Sequence, residues 1–408
     1  MSDTDKTEKK WGDASWELAK ELVKIDSTDP GAYEGKIGEF LYKRLKECIC
    51  SKGGRMTECI TLEKREILPG RFNLRARIPG TQEGPELICI CHMDTVVEGE
   101  GWNPARPPFG AVVYQDKLYG RGACDMKSGL ACAVTAFENM VAETGKRGTL
   151  PKRGFSLILT VDEEDFMRGA EDAVAAGWIK KEDWILDTEP TDGKIQASHK
   201  GRTWFLLTIE GITAHASTPW KGADAVAAMA EVICNMRKEF GKLPVHEELG
   251  ASTITFGQVT GGYRPYVVPD RAQVWIDMRL VPPADTALAK EIAEKAIQKA
   301  AEEVPGIKGK IQVTGDRPWI VKNPDSSLLA ALKEACRKAT GKEPETAPFN
   351  GYTDTAVIAG RLKAQNTMSY GPGSLEMAHK PDEYVPKENV ERVEQVLTIL
   401  AMETIWQD

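Results

Sequence analysis

His92 and Asp94 stand two residues apart where the apolar run Leu87 to Cys91 ends, and Asp125, the pair Glu163-Glu164, Glu189 and His379 follow at separations of tens of residues. Imidazole nitrogen and carboxylate oxygen are the donors that hold hard or borderline divalent metals. A Glu beyond those needed as ligands is what metal-assisted hydrolysis requires as a proton carrier. The chemistry that these residue types can do together is hydrolysis at a two-metal centre. Singly, none of them carries that weight. A strand-end His is commonly a hydrogen-bonded structural residue, an Asp before a helix is an ordinary N-cap, and a Glu-Glu pair is commonly a solvated loop. Asp94, at i+2 in extended chain, points to the same side as His92 and can hold the imidazole and raise its basicity.

The elements predicted around these residues would bring them together. Helical spacing marks Trp11 to Ile25 and Tyr33 to Cys50. Asn73 to Ile78 and Leu87 to Cys91 read as strands, the second nearly all apolar and so central. A short hairpin is expected over Tyr114 to Tyr119, with its turn near Gln115-Asp116. Asp125 immediately precedes a helix over Met126 to Ala142. The strand Phe155 to Val161 ends at Asp162-Glu163-Glu164, and the strand Trp184 to Leu186 ends at Asp187-Thr188-Glu189. Each cluster of donors thus follows a strand, which is where open α/β sheets bind ligands, and alternation of strands and helices argues for a mostly parallel sheet. Residues 200–316 differ. Their strands and helices come in the order βαββαβ, a ferredoxin-like split, and read as a domain inserted between 1–199 and 317–408. A helix over Ser326 to Thr340, a strand near Asn366 to Tyr370 and a helix over Lys387 to Trp406 return to the first domain.

Bulk composition narrows the function classes. With 408 residues and 41% apolar content the chain suits about two packed domains. Its net charge of −8 lacks the basic footprint of a nucleic-acid binder. No apolar run is long enough for a membrane span, and Met1 to Lys10 reads as a short polar lead rather than a signal peptide. The nine Cys, among them Cys89, Cys91, Cys132 and Cys234, sit mostly in apolar runs, as buried thiols of a reducing cytoplasm would. Nucleotide-binding glycine motifs are missing: Gly99-Glu100-Gly101 does not continue as G-x-G-x-x-G, and there is no P-loop.

The ordered set His92-Met93-Asp94, Gly120-Arg121-Gly122-Ala123-Cys124-Asp125-Met126-Lys127, Glu163-Glu164, Thr188-Glu189-Pro190-Thr191 and Ala378-His379-Lys380 resembles the M20 metallopeptidases and amidohydrolases, the acetylornithine deacetylase, succinyl-diaminopimelate desuccinylase, aminoacylase and carboxypeptidase G2 type. The resemblance covers nearly the whole chain. It implies an α/β zinc-hydrolase catalytic domain with a mostly parallel sheet, and an inserted ferredoxin-like lid and dimerisation domain. It implies two divalent ions, Zn²⁺ foremost with Co²⁺ or Mn²⁺ as substitutes. His92, Asp125 and Glu189 would hold one; Asp125, Glu164 and His379 would hold the other, with a hydroxide between them. Glu163 would be general base and then acid, and Asp94 would orient His92. His215, in Thr213-Ala214-His215-Ala216-Ser217, would reach across a homodimer to support the tetrahedral intermediate. Arg279 would grip a substrate carboxylate, and Gly351 and Thr353 of the loop Asn350 to Thr355 would line the pocket. The implied activity is hydrolysis of an N-acyl amino acid in the cytoplasm. The alternatives are a dipeptidase or carboxypeptidase on short peptides, and a non-catalytic binding homologue, which would lack a ligand or the base. Two positions depart from the family pattern. Tyr266 stands where Asn is expected, and Tyr352 occupies a loop that more often carries small residues; both point to a narrower or more apolar substrate group. Cys124, beside Asp125, reads as a small packing residue.

Overall fold

A computed structural model describes residues 11–349 and 351–406; the polar lead Met1 to Lys10 and Asn350 lie outside the described residues. In chain order the elements are α1 (Asp13–Val23), α2 (Gly35–Lys52), β1 (Thr61–Leu68), β2 (Arg71–Ile78), β3 (Leu87–His92), β4 (Val112–Tyr114), β5 (Lys117–Tyr119), α3 (Lys127–Arg147), β6 (Phe155–Thr160), α4 (Arg168–Ala175), β7 (Trp184–Pro190) and β8 (Ile195–His199). Then come β9 (Gly201–Glu210), α5 (Ala225–Phe240), β10 (Thr253–Gly261), β11 (Arg271–Leu280), α6 (Thr286–Glu303) and β12 (Lys308–Arg317). The chain closes with α7 (Ser327–Thr340), β13 (Thr346–Phe349), α8 (Asp354–Leu362), β14 (Thr367–Gly371), β15 (Tyr384–Pro386) and α9 (Lys387–Trp406). Two compact units result. One gathers described residues of Met1–Ala197, Lys322–Ala347 and Thr353–Asp408; the other is Ser198–Val321 with the described residues of Pro348–Tyr352.

The first unit is built on an eight-stranded sheet of order β1-β2-β6-β3-β7-β14-β8-β13. Its four middle strands, β6, β3, β7 and β14, run parallel; β2 and β8 join them antiparallel, and β1 pairs antiparallel with β2 at the outside. This is the α/β fold with a parallel central sheet that the strand–helix alternation predicts. Every residue of β3 and β6 is buried, because both faces are covered, as near-continuous apolar runs require. The alternation is visible in the packing. Cys89, Cys91, Leu157 and Leu159 join the larger core with residues of α1, α2, α3, α7 and α9, while Ile88, Ile90 and Ile158 face a smaller core with residues of α8. A separate three-stranded sheet, β15-β5-β4, includes the expected hairpin, whose turn residues Gln115 and Asp116 both have positive φ.

The second unit is a four-stranded antiparallel sheet of order β10-β11-β9-β12. Alternate residues of β9 and β11, Phe205, Leu207, Ile209, Val274, Ile276 and Met278, pack with the apolar stripes of α5 and α6. Asp224 and Asp285 cap those helices through backbone N–H groups. The βαββαβ order is the one read from the sequence.

Some expectations need correction. Cys234, grouped above with buried thiols, is exposed on α5, whereas Cys89, Cys91 and Cys132 are buried. β1 was not foreseen: Thr61–Leu68 is rich in charge because it is an outer strand with mostly exposed residues. α8 was also missed, being short. No helix among the described residues is long and apolar enough to cross a membrane.

Candidate metal centre

Parallel pairing sets the first contacts. β3 lies between β6 and β7, so the ends of all three strands meet at one edge; His92 pairs with Thr160 across β3 and β6. His92 is the last residue of β3, Glu163 and Glu164 follow β6 by a few residues, and Glu189 is the penultimate residue of β7. Asp125 arrives from the loop before α3. That helix can approach β7 only because residue 129 is glycine: a Cβ there would lie 2.2 Å from the Thr188 carbonyl oxygen. Gly371 of β14 presses on the same carbonyl, where a Cβ would lie 2.0 Å away.

The loop carrying Asp125 is wrapped around one buried carboxylate. Glu383 accepts the Cys124 and Asp125 N–H groups on Oε1 at 2.7 and 3.0 Å. It accepts Arg121 Nη1 and the Gly122 N–H on Oε2 at 2.6 and 3.0 Å. Arg121 and Glu383 are both almost fully buried. The sequence reading missed this pair. Its signal was present: an arginine between two glycines, ahead of an apolar helix, needs a counter-charge once buried, and Glu383 follows His379 by four residues.

The donors converge in two sets that share Asp125. His92 Nε2 is 3.2 Å from Asp125 Oδ1 and 3.6 Å from Glu189 Oε1. His379 Nε2 is 3.5 Å from Asp125 Oδ2 and 3.1 Å from Glu164 Oε2. Within each set of three the donor atoms lie within 4.8 Å of one another. The two oxygens of Asp125 thus serve different sets. His92 presents Nε2 to the centre because its Nδ1 is 3.0 Å from the backbone carbonyl of Asp94, nearer than the Asp94 carboxylate at 3.6 Å. The ring is therefore oriented by the Asp94 carbonyl, while Asp94 Oδ2 accepts the Glu164 N–H at 2.9 Å.

Crowding so many carboxylates in a buried place has an electrostatic cost. Burial pushes the Glu189 carboxyl well above the ordinary range, and Asp125 adds to it. Burial likewise raises Glu163, which His92 opposes and Asp354, Glu164 and Asp94 reinforce. Burial alone would pull His92 down, but its hydrogen bond to Asp125 and the charges of Glu189, Glu163 and Asp94 lift it well above its usual value. Hydrogen bonds to Asp125 and Glu164 raise His379 to about 10. Burial raises Asp125 too, yet the bonds to His379 and His92 outweigh it and hold that carboxyl low. Anions pressed together in low dielectric are stabilised by a cation in their midst. Two imidazole nitrogens and three carboxylates form a donor set that suits divalent ions, so these residues fit the metals that the resemblance implies.

The remaining expected site residues divide between the units. Thr353, in the first unit, is buried; its hydroxyl caps α8 at the Ala356 N–H and lies 2.8 Å from Thr355 Oγ1. Gly351 belongs to the second unit, as do His215 and Arg279. His215 is exposed, and its Nδ1 accepts the Ser217 N–H at 3.2 Å, which leaves the proton on Nε2. Arg279 is half-buried and donates from Nε to Asp277 Oδ1 at 2.9 Å. Tyr266 is exposed, whereas Tyr352 is buried with its hydroxyl donating to the Pro318 carbonyl at 3.0 Å and its ring near His199. Tyr352 is thus a packing residue of the second unit. Cys124 is buried with Sγ against the Ser374 carbonyl.

Comparison with known proteins adds independent findings. Residues 88–403 match the sequence model of the family described as Peptidase family M20/M25/M40. A probable succinyl-diaminopimelate desuccinylase of Staphylococcus aureus strain MRSA252 is 27% identical over 331 residues, 74% of this chain and 79% of that protein. Among solved structures, an aminopeptidase of Bacillus cereus superposes with a TM-score of 0.73 at 21% identity, covering 95% of this chain and 97% of the other. A Bacillus subtilis protein described as a dinuclear metal binding peptidase from the M20 family superposes with a TM-score of 0.70 at 16% identity, covering 96% and 97%. The likeness to these two structures is one of fold.

Proposed function

This chain belongs to Peptidase family M20/M25/M40 and is a metal-dependent hydrolase of amide or peptide bonds; from that premise we propose that it removes the acyl group from an N-acyl amino acid at a two-metal centre. The observation that carries the reading is the bridging geometry of Asp125, with one oxygen toward His92 and the other toward His379. His92, Asp125 and Glu189 would hold one ion and Asp125, Glu164 and His379 the other. Zn²⁺ suits this mixture of imidazole and carboxylate, and Co²⁺ or Mn²⁺ can substitute. Divalent ions bound there supply Lewis-acid polarisation of the scissile carbonyl and a lowered pKa for water.

The chain's own residues account for the rest. Glu163 is no member of either donor set, and it is buried beside both. It takes the proton of the attacking water and then delivers it to the leaving amine, a role that favours a carboxyl raised toward neutrality. The Asp94 carbonyl keeps the His92 ring turned, and Glu383 holds the loop that delivers Asp125. His215 carries a proton on Nε2 and would donate to the developing oxyanion, contributed across a homodimer. Arg279 would recognise the free carboxylate of the substrate, with Asp277 fixing its guanidinium.

The test is a chromatographic screen of N-acyl amino acids and dipeptides against protein loaded with Zn²⁺, Co²⁺ or Mn²⁺, with chelator as control. Turnover of acyl amino acids that chelator abolishes and metal restores supports the proposal; turnover of dipeptides alone assigns the chain to the dipeptidases instead. Glu163→Ala should lower kcat by about 10²–10⁴-fold, and full activity in that variant would refute the mechanism.

A further inference from the structure

A second ionic cluster stands behind the turn that carries Glu163 and Glu164. Arg71, the first residue of β2, has a side chain only 8% exposed. Its Nε donates to Glu34 Oε2 at 2.6 Å, and its Nη2 to Glu34 Oε1 at 2.6 Å and to Asp29 Oδ2 at 2.5 Å. The same Nη2 is 3.3 Å from Asp162 Oδ1. Glu34 Oε1 also accepts the Asp162 N–H at 2.9 Å. From the solvent side Arg168 clasps both Asp162 oxygens, at 2.6 and 2.5 Å.

These bonds converge on a residue whose backbone needs holding. Asp162 has a φ of 68°, in the left-handed region that most residues with a Cβ avoid and that Asp adopts at modest cost, so the bonds made by its N–H and carboxylate help to fix the turn. Glu163 and Glu164 come next in the chain. Carboxylate oxygens of Asp29, Glu34 and Asp94 lie within 4.8 Å of one another, so the cluster also abuts the residue that receives the Glu164 N–H. The positive charge of Arg71 allows Asp29 and Glu34 to be buried there at all.

We propose that Arg71 and Glu34 are positioning residues of the hydrolytic centre. Acting through the backbone and carboxylate of Asp162, they fix the turn so that Glu164 reaches the Asp125–His379 donors and Glu163 stays at the reacting bond. This rests on the function proposed above, which makes Glu164 a ligand and Glu163 the proton carrier. Ion pairs that served only to clamp β2 to the preceding loop would affect both donor sets alike. Positioning through Asp162 singles out the set that contains Glu164.

Co²⁺ titration of the metal-free full-length protein, followed by visible absorption, separates these cases without any substrate. Wild type should take up two ions, and Glu164→Gln should lose one step, which identifies that step. Glu34→Gln keeps an oxygen for the Asp162 N–H but removes the charge that Arg71 needs; Arg71→Lys keeps the charge but cannot bridge three carboxylates. Both should weaken the Glu164-dependent step by about 10-fold or more and leave the other step unchanged. Arg168→Met, at a side chain 42% exposed, trims the same cluster without opening the core and should weaken that step less than either of the other two variants does. Uptake of fewer than two ions by wild type would refute the two-metal function itself. Two normal steps in wild type and in all three variants, or both steps weakened together, would overturn the positioning role alone.

Discussion

Replacing Glu383 by Gln should damage the protein far more than one oxygen-to-nitrogen exchange suggests. The carboxylate serves four donors, two on each oxygen. A Gln side chain keeps one oxygen, for the Cys124 and Asp125 N–H groups, and presents an NH₂ to Arg121 and the Gly122 N–H. Two buried donors then face a donor. A buried neutral donor left unmet costs about 1–3 kcal/mol, and a buried cation stripped of its partner about 3–5 kcal/mol. These overlap, because Arg121 keeps its bond to the Glu98 carbonyl at 3.0 Å, so the expected loss is about 4 kcal/mol. Urea unfolding of the metal-free protein measures it. Glu391→Gln, which breaks a surface contact to Lys387 with side chains 41% and 31% exposed, is the control and should cost at most about 1 kcal/mol. Glu383→Gln should also weaken Co²⁺ uptake, since Arg121 and the Gly122 N–H lose their acceptor and the loop that leads to Asp125 is loosened. A loss below about 1 kcal/mol with wild-type metal uptake would refute the claim that this carboxylate holds the loop.

Two further predictions follow from the same geometry. Gly129→Ala gains about 1 kcal/mol of helix propensity, but its Cβ must escape the Thr188 carbonyl. The helix would shift by about 1 Å, enough to cost about 10²-fold in activity if placement governs the rate; a variant as active as wild type would show that α3 has slack. In the metal-free protein the raised pKa of His379, about 10, makes its charged form a stabilising group. That contribution is complete below the unfolded value near 6.5 and fades as pH rises through about 10. Comparing wild type with His379→Gln across that window by urea midpoint should show the difference shrinking toward high pH. A constant difference would remove His379 from the ion cluster.

The sequence made most of the donors legible because His92, Glu163, Glu164 and Glu189 end or follow a patterned strand and Asp125 precedes a patterned helix, while His379 was legible only through the family motif. The apolar run before His92, the one before Asp162 and the apolar helix after Asp125 allow one local reading each, and parallel pairing does the rest. The antiparallel split of the second unit was equally plain, since its strands alternate and its helices have apolar stripes. What stayed hidden depends on long-range pairing. Glu383 and Arg121 are joined across 262 positions, and neither has a local pattern that names the other. Arg71 and Glu34 look like surface charge in the sequence; only the fold buries them. Thr61–Leu68 carries charge on both faces, so an alternating apolar signal could not reveal β1.

The late position of His379 has a consequence for biosynthesis. A ribosome making this chain releases His92, Asp125, Glu164 and Glu189 well before His379, so a nascent polypeptide still lacks one of the two histidines of the proposed centre. Full occupancy must await the closing segment, which also delivers Glu383 to the Asp125 loop. Premature termination after β14 would remove both His379 and Glu383, so on the two-metal reading elemental analysis should find fewer ions on the truncated polypeptide than on the complete one.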